Sequence, residues 1–292
     1  ADVTVRLDAA GKAPAKRRLF VLAVGINDYH DHGWSPDGGP AQLFPPLDLA
    51  VADARSLADA MKISGKGNYD ETLVTLIDKD ATRGALDTAI DRLAKEIGPR
   101  DTFIFFAAAH GFAKDGHFYL IPQDFDGGPN PVALQSRAVG QDRLQDWLAN
   151  KIKAKRAIVL LDTCESGALV SSFQRSRTDP SEAAIGRLHE ATGRAVLTAA
   201  ASGEFAHEGI IGTTGERHGV FTWALLDALR NGDRNGDGMI SLSELVEHVQ
   251  ERVPGIAAEI KANGRAASVV SGPVFGKQSA RFGSRGEDFI IV

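Results

Sequence analysis

Two apolar runs in this 292-residue chain end in residues able to do chemistry. Thr102-Phe103-Ile104-Phe105-Phe106-Ala107-Ala108-Ala109 empties into His110-Gly111, and Ala157-Ile158-Val159-Leu160-Leu161 empties into Asp162-Thr163-Cys164-Glu165-Ser166-Gly167. A thiolate is a strong nucleophile, a neighbouring imidazole can act as its base, and adjacent backbone amides can stabilise an oxyanion. A buried cysteine and a satisfied histidine explain either residue alone. The pair, each followed by glycine on a polar tip beyond an apolar strand, points instead to a catalytic dyad. Cys164 is the sole cysteine, which excludes an intramolecular disulfide and any multi-thiolate zinc or iron-sulfur site.

A second constellation is independent of the first. Asp233-Arg234-Asn235-Gly236-Asp237-Gly238-Met239-Ile240-Ser241-Leu242-Ser243-Glu244 fits the 12-residue EF-hand loop. Asp233, Asn235 and Asp237 supply oxygens at positions 1, 3 and 5, Gly236 makes the turn, Met239 offers its carbonyl, Ser241 binds through water and Glu244 closes the set. Helices expected over 221–230 and 242–253 provide the flanks that the motif requires. The expected cofactor is Ca²⁺; an empty glycine-rich turn is the rival reading, and a lone loop fits weak or purely structural binding.

The elements that position these residues follow from periodicity. Short β-branched or aromatic runs at 19–25, 72–77, 101–108, 156–162 and 194–200 read as strands. Between them, 48–62, 82–97 and 141–153 carry apolar residues at helical spacing. Near-continuous apolar strands alternating with amphipathic helices indicate a mostly parallel α/β sheet covered on both faces. Ligands of such sheets sit beyond the carboxyl ends of the strands, where His110 and Cys164 fall. Residues 1–18 read as an N-terminal extension, linker or added edge strand. Residues 171–193, with Arg175, Arg177 and Arg187, read as an exposed connection with helical turns after Pro180. His30, His32, His117, His189, His207, His218 and His248 are scattered without metal-ligand spacing and read as surface or loop residues.

Composition narrows the function classes. The net charge is −5 with no Lys/Arg block, which argues against nucleic acid as a partner. The longest strictly apolar run, Phe103 to Ala109, is too short to cross a bilayer. The chain opens at Ala1 without a methionine or a signal-like segment, which suggests a trimmed or processed product and constrains the compartment only weakly: the cytoplasm is expected, with secretion or the periplasm as alternatives.

At motif level, from residue 18 to the end, the sequence resembles the caspase and metacaspase superfamily, most closely its bacterial orthocaspases. Leu19 to Tyr29 is similar to the family's first strand, Leu47 to Met61 with Ala52-Asp53-Ala54 to its first helix, and Phe105 to Gly111 to its histidine motif. Asp162 to Gly167 matches the D-x-C-x-S-G cysteine motif, and Gly219-Val220-Phe221-Thr222 the G-x-F-T start of a small-subunit helix. The histidine precedes the cysteine by 164 − 110 = 54 positions. Ala109 stands where the family usually has glycine, and Glu165 where metacaspases commonly have histidine.

The resemblance implies the caspase-hemoglobinase fold, α/β with a mostly parallel six-stranded sheet flanked by helices and here an inserted EF-hand-like loop. It implies one peptidase domain over 19–292: a large-subunit-like part at 19–170, the connection at 171–193, and a small-subunit-like part at 194–292 containing the loop at 233–244. Cys164 would attack the scissile carbonyl, His110 would act as base and then acid, and the Gly111 and Cys164 amides would hold the oxyanion. By the same resemblance Asp53 and Asp162 line the pocket for the residue before the scissile bond (P1) and select Arg or Lys. Glu204 is a third candidate acid, with a solvated loop carboxylate as its rival reading. The expected partner is a protein or peptide substrate with Arg or Lys at P1, possible self-cleavage and calcium response included, alongside a parent chain or regulatory partner. Two rivals stand beside this: a catalytically silent, calcium-responsive interaction module, and a hydrolase of non-peptide acyl groups.

Overall fold

The computed structural model describes residues 17–30, 44–77, 80–126, 131–165, 180–199, 208–211, 216–263, 278–283 and 288–292, with the side chains of 73–77, 164–165, 180–185, 208–211, 216 and 261–263 left aside. In chain order come β1 (Arg18–Gly25), α1 (Ala50–Ser64), β2 (Glu71–Ile77), α2 (Arg83–Glu96), β3 (Thr102–Lys114), β4 (His117–Leu120), α3 (Pro131–Arg137), β5 (Val139–Gly140) and α4 (Gln141–Gln145), which runs into a π-helical turn (Asp146–Lys151). There follow β6 (Arg156–Glu165), α5 (Pro180–Thr192), β7 (Ala195–Thr198), β8 (Glu208–Ile211), β9 (Glu216–Gly219), α6 (Val220–Asn231), α7 (Leu242–Asn263) and β10 (Arg281–Gly283).

The sheet order is β10-β7-β6-β3-β1-β2, six strands on the main path, with β4 and β5 added beyond the end of β3. β7, β6, β3, β1 and β2 are mutually parallel and β10 runs antiparallel at the edge. This is the expected mostly parallel architecture, and its cause is visible in the burial. Leu19 to Val24, Phe103 to Ala107 and Ile158 to Leu161 are all fully buried, so helices must cover both faces.

Side chains alternate across a strand, which divides the core into two layers. Phe20, Leu22, Val24, Phe103, Phe105 and Val159 pack toward Leu86, Ile90 and Leu93 of α2 and toward Trp147. Leu19, Val21, Ala23, Ile104, Phe106, Ile158 and Leu160 pack toward Ala54, Leu57 and Met61 of α1, Leu225 of α6, and Leu245 and Val249 of α7. Asp162 has the parity of Ile158 and Leu160, which aims it at the α1 and α6 side.

Several expectations need correction. Of the connection read as exposed between 171 and 193, residues 180–192 form α5, in which Leu188 and His189 are buried. The helical turns expected after Pro180 extend into a full helix, and local polarity concealed only that one side of it is buried against β4 and the sheet. The imidazole of His189 caps the Arg194 carbonyl at 2.7 Å. His248 sits 2.8 Å from Asp227 between α7 and α6. Neither is a loop histidine: each lies within a helix, His189 closing the turn from α5 into β7 and His248 tying α7 to α6. The expected edge strand within 1–16 lies outside the described residues.

Candidate active site

The register of β3 on β6 sets Ala108 beside Asp162, Ala109 beside Thr163 and His110 beside Cys164. The two candidate catalytic residues therefore share one rung of a parallel ladder, on strands about 4.8 Å apart. They lie within the strands rather than on loops past them. β3 continues to Lys114 because Gly111–Lys114 pair with β4 across a tight turn in which Asp115 and Gly116 have φ of 51° and 72°. Asp-Gly with two positive φ values is the two-residue hairpin connection, and the dipeptide itself is its signal in the sequence. At Gly111 packing sets the requirement: a Cβ there would lie 3.0 Å from both the Phe118 ring and Thr163 Cβ.

His110 is 2% exposed and is held from three directions. Its backbone N–H donates to the Tyr29 hydroxyl at 2.8 Å. Its ring lies 4.9 Å from that of Tyr29 and 5.5 Å from that of Phe44. Nε2 is 2.7 Å from the Pro45 carbonyl oxygen. A carbonyl can only accept, so Nε2 carries the proton and Nδ1 is the basic nitrogen of the neutral ring; this tautomer is assigned from the hydrogen bond. The Pro45 segment is itself fixed by the Leu47 N–H, which donates to the Asn27 carbonyl at 2.8 Å. Tyr29 and Pro45 were not among the sequence candidates; Tyr29 closes the LFVLAVGINDY motif, whereas a backbone carbonyl leaves no mark on residue type.

Asp53 arrives from α1. The start of that helix is tied to the end of β1: Asn27 Oδ1 accepts from the Val51 N–H at 2.9 Å, and Gly25 comes so close that a Cβ would be 2.4 Å from the Ala50 carbonyl oxygen. Asp53, 1% exposed, accepts from His218 Nδ1 at 2.6 Å and from the Gly219 N–H at 2.9 Å. Asp162 accepts from the Thr222 hydroxyl at 2.6 Å and the Thr222 N–H at 3.2 Å, both on Oδ2. Asp53 Oδ2 and Asp162 Oδ2 flank Gly219 so closely that a Cβ would meet them at 2.9 and 2.8 Å. The two acids predicted to act together are thus brought together, over the G-x-F-T turn.

Their electrostatics follow from this enclosure. Burial pushes the Asp162 carboxyl up to about 7, helped by the charge of Asp53 and opposed by the Thr222 hydrogen bonds and His218. Asp53 is also raised by burial, and the His218 and Gly219 hydrogen bonds pull it back. His218, read from sequence as a surface histidine, belongs to the site. Its position directly before the G-x-F-T motif was the available signal.

Other predicted residues fare differently. Glu204 lies outside the described residues, and of Cys164 the backbone alone is described. In the 233–244 loop, Asp233 accepts backbone N–H groups of Gly236, Asp237 and Gly238 at 2.7 to 3.2 Å, Asn235 that of Asp237 at 2.8 Å, and Asp237 that of Met239 at 2.9 Å. Glu244, nearly buried, accepts from the Arg234 and Asn235 N–H groups on Oε1 and from the Ser241 N–H and hydroxyl on Oε2. These bonds hold its carboxyl below the usual range. Among the described residues no three His, Cys, Asp or Glu side chains are gathered into metal-holding geometry.

The comparisons with known proteins agree with this fold. Protein GSU0716 from Geobacter sulfurreducens, known as a crystal structure, shares the fold at 20% identity and a TM-score of 0.53, over 91% of this chain and 92% of that one. No curated protein sequence matches the chain. The family model for the caspase domain matches residues 18–277. A parallel α/β sheet that brings a histidine strand and a cysteine strand to one rung, within a sequence matched over most of its length, places this chain in the caspase-domain family of cysteine peptidases, which act on proteins or peptides.

Proposed function

We propose that the chain is a cysteine endopeptidase that cleaves after Arg or Lys, with Cys164 as nucleophile and His110 as general base and acid. The observation that carries this reading is the shared rung of His110 and Cys164 with the Asp53–Asp162 pair close by. His110 Nδ1 takes the thiol proton, and the sulfur attacks the scissile carbonyl carbon. The oxyanion that forms is met by the Gly111 and Cys164 amides. The imidazolium returns the proton to the leaving amine, giving a thioester that water, deprotonated by the same imidazole, then hydrolyses. The Pro45 carbonyl keeps the ring oriented and stabilises its charged form.

The acid pair supports a cationic P1 side chain. A buried pair of carboxylates with raised proton affinity gains most from a desolvated guanidinium or ammonium. Glu204 remains a candidate third acid. Calcium belongs to the reading as well: the 233–244 loop offers only oxygens, the set a hard cation prefers, from Asp233, Asn235, Asp237, the Met239 carbonyl, Ser241 and Glu244. When bound there, the ion would supply structural charge neutralisation. A fluorogenic library varied at P1 tests the central claim. Cleavage after Arg and Lys, absent from Cys164→Ala, is expected; selection of acidic or small P1 residues would overturn it.

A further inference from the structure

The two acids are not equivalent. Both oxygens of Asp53 are engaged from within the chain, Oδ1 by His218 Nδ1 at 2.6 Å and Oδ2 by the Gly219 N–H at 2.9 Å. Both hydrogen bonds that Asp162 receives among the described residues fall on Oδ2, from the Thr222 hydroxyl and N–H. Asp53 is almost fully enclosed, whereas Asp162 retains some exposure. His218 and Gly219 end β9 and lead straight into α6, so whatever holds Asp53 also places the turn that borders Asp162.

We infer that His218 is a positioning residue for P1 selection: by engaging Asp53 it pins the Gly219–Thr222 turn between the acids and leaves Asp162 as the carboxylate presented to the substrate cation. The substrate class rests on the Arg/Lys reading above. The division of labour rests on hydrogen-bond geometry.

A P1 guanidinium that sought Asp53 would have to displace a 2.6 Å hydrogen bond from a ring that is largely buried. At Asp162 it meets a carboxylate with an oxygen outside those internal bonds. Among the described residues, the charged and titratable groups that meet here are Asp53 from α1, Asp162 from β6 and His218 from β9. Opposite His218 on β8 the register places Gly209, which carries no charge. His218 opposes the burial that raises Asp162, so its removal should make Asp162 harder to ionise.

The test compares wild type, His218→Ala and His218→Gln on paired peptides with Arg or the uncharged isostere citrulline at P1. Glutamine keeps an N–H donor for Asp53 and loses the ring and its charge. His218→Ala should raise KM for the Arg peptide about tenfold, the loss of one charge-assisted hydrogen bond, with little change in kcat and a smaller change for citrulline. His218→Gln should recover most of the KM, yet both variants should show the acid limb of kcat/KM for the Arg peptide at higher pH than wild type. Should His218→Ala fail to fold, the limb of His218→Gln decides alone. If wild type discriminates Arg from citrulline and the variants keep its KM ratio and limb, His218 has no such role and the Arg/Lys reading stands. Equal losses on both peptides, with an unmoved limb, would reduce it to a structural residue. Wild type that ignores P1 charge would overturn the Arg/Lys reading and this assignment with it.

Discussion

His110 and Cys164 are paired in backbone register across β3 and β6, on one rung of the parallel ladder, one step beyond the Ala109–Thr163 rung. A dyad mounted on two central strands of a sheet, rather than on independent loops, has its separation set by the strand spacing. In the proposed mechanism such placement would preorganise base and nucleophile.

The first prediction concerns the dyad. Cys164→Ala should lower kcat/KM on an Arg peptide by at least about 10³-fold while the melting temperature stays close to wild type. His110→Ala should lose as much activity but also about 1–3 kcal/mol of stability, since it empties a buried site packed by Tyr29 and Phe44. Activity assays and thermal melts on both variants check this; full turnover in either one removes it from the mechanism.

Asp162 gives a pH signature. Its folded carboxyl, near 7, must ionise to bind a cation, so kcat/KM on Arg substrates should rise as pH passes through about 7. Bound substrate favours the ionised form, and the acid limb of kcat should therefore lie lower than that of kcat/KM. Stability runs the other way. A carboxyl raised above its unfolded value contributes fully below that value, and the contribution is lost as pH climbs through the folded pKa. Asp162→Asn should then be more stable than wild type at pH 8–9, by about 2–4 kcal/mol at most, and equal to it below about pH 4, as denaturant melts across pH would reveal.

Self-cleavage, if it accompanies activity, should fall at Arg175 or Arg177 rather than Arg187. Proteolysis requires an extended segment, and Arg187 lies within α5 with its guanidinium directed at the Asp115 and Gly116 carbonyls. Intact-mass measurement of wild type against Cys164→Ala distinguishes the sites; a cut after Arg187 would show that α5 opens during processing.

Calcium should bind wild type and not Glu244→Gln. The Glu244 carboxylate accepts four donors of its own loop, so an amide NH₂ in place of one oxygen would oppose a donor as well as remove charge. Titration calorimetry provides the readout, and a hundredfold excess of calcium over Kd should add about 2.7 kcal/mol to stability. The loop is anchored to the C-terminal segment by the Ile240 N–H on the Val292 carbonyl and the Ile291 N–H on the Ile240 carbonyl, each at 2.7 Å. Heat of binding without a change in peptidase rate would make the ion structural, and equal heats from both proteins would dismiss the site.

The sequence by itself determined the central strands, because Leu19 to Val24, Phe103 to Ala107 and Ile158 to Leu161 are apolar without interruption and can be satisfied only inside a covered sheet; the short strands β4, β5, β8, β9 and β10 were not legible in it. It also marked His110 and Cys164, since reactive residues at the ends of apolar runs stand out locally, while Asp53 and Asp162 entered through the family resemblance of their motifs. What it could not contain is which residue meets which. The shared rung depends on inter-strand register. The Nε2 tautomer of His110 depends on a backbone carbonyl 65 positions away. His218 reaches Asp53 across 165 positions, and its role was lost among scattered histidines because periodicity and composition report on neighbours along the chain, not across it. The burial within 180–192 was missed for the same reason: helical turns after Pro180 could be anticipated, but Leu188, His189 and Thr192, buried among the described side chains, gain a core only by packing against the sheet.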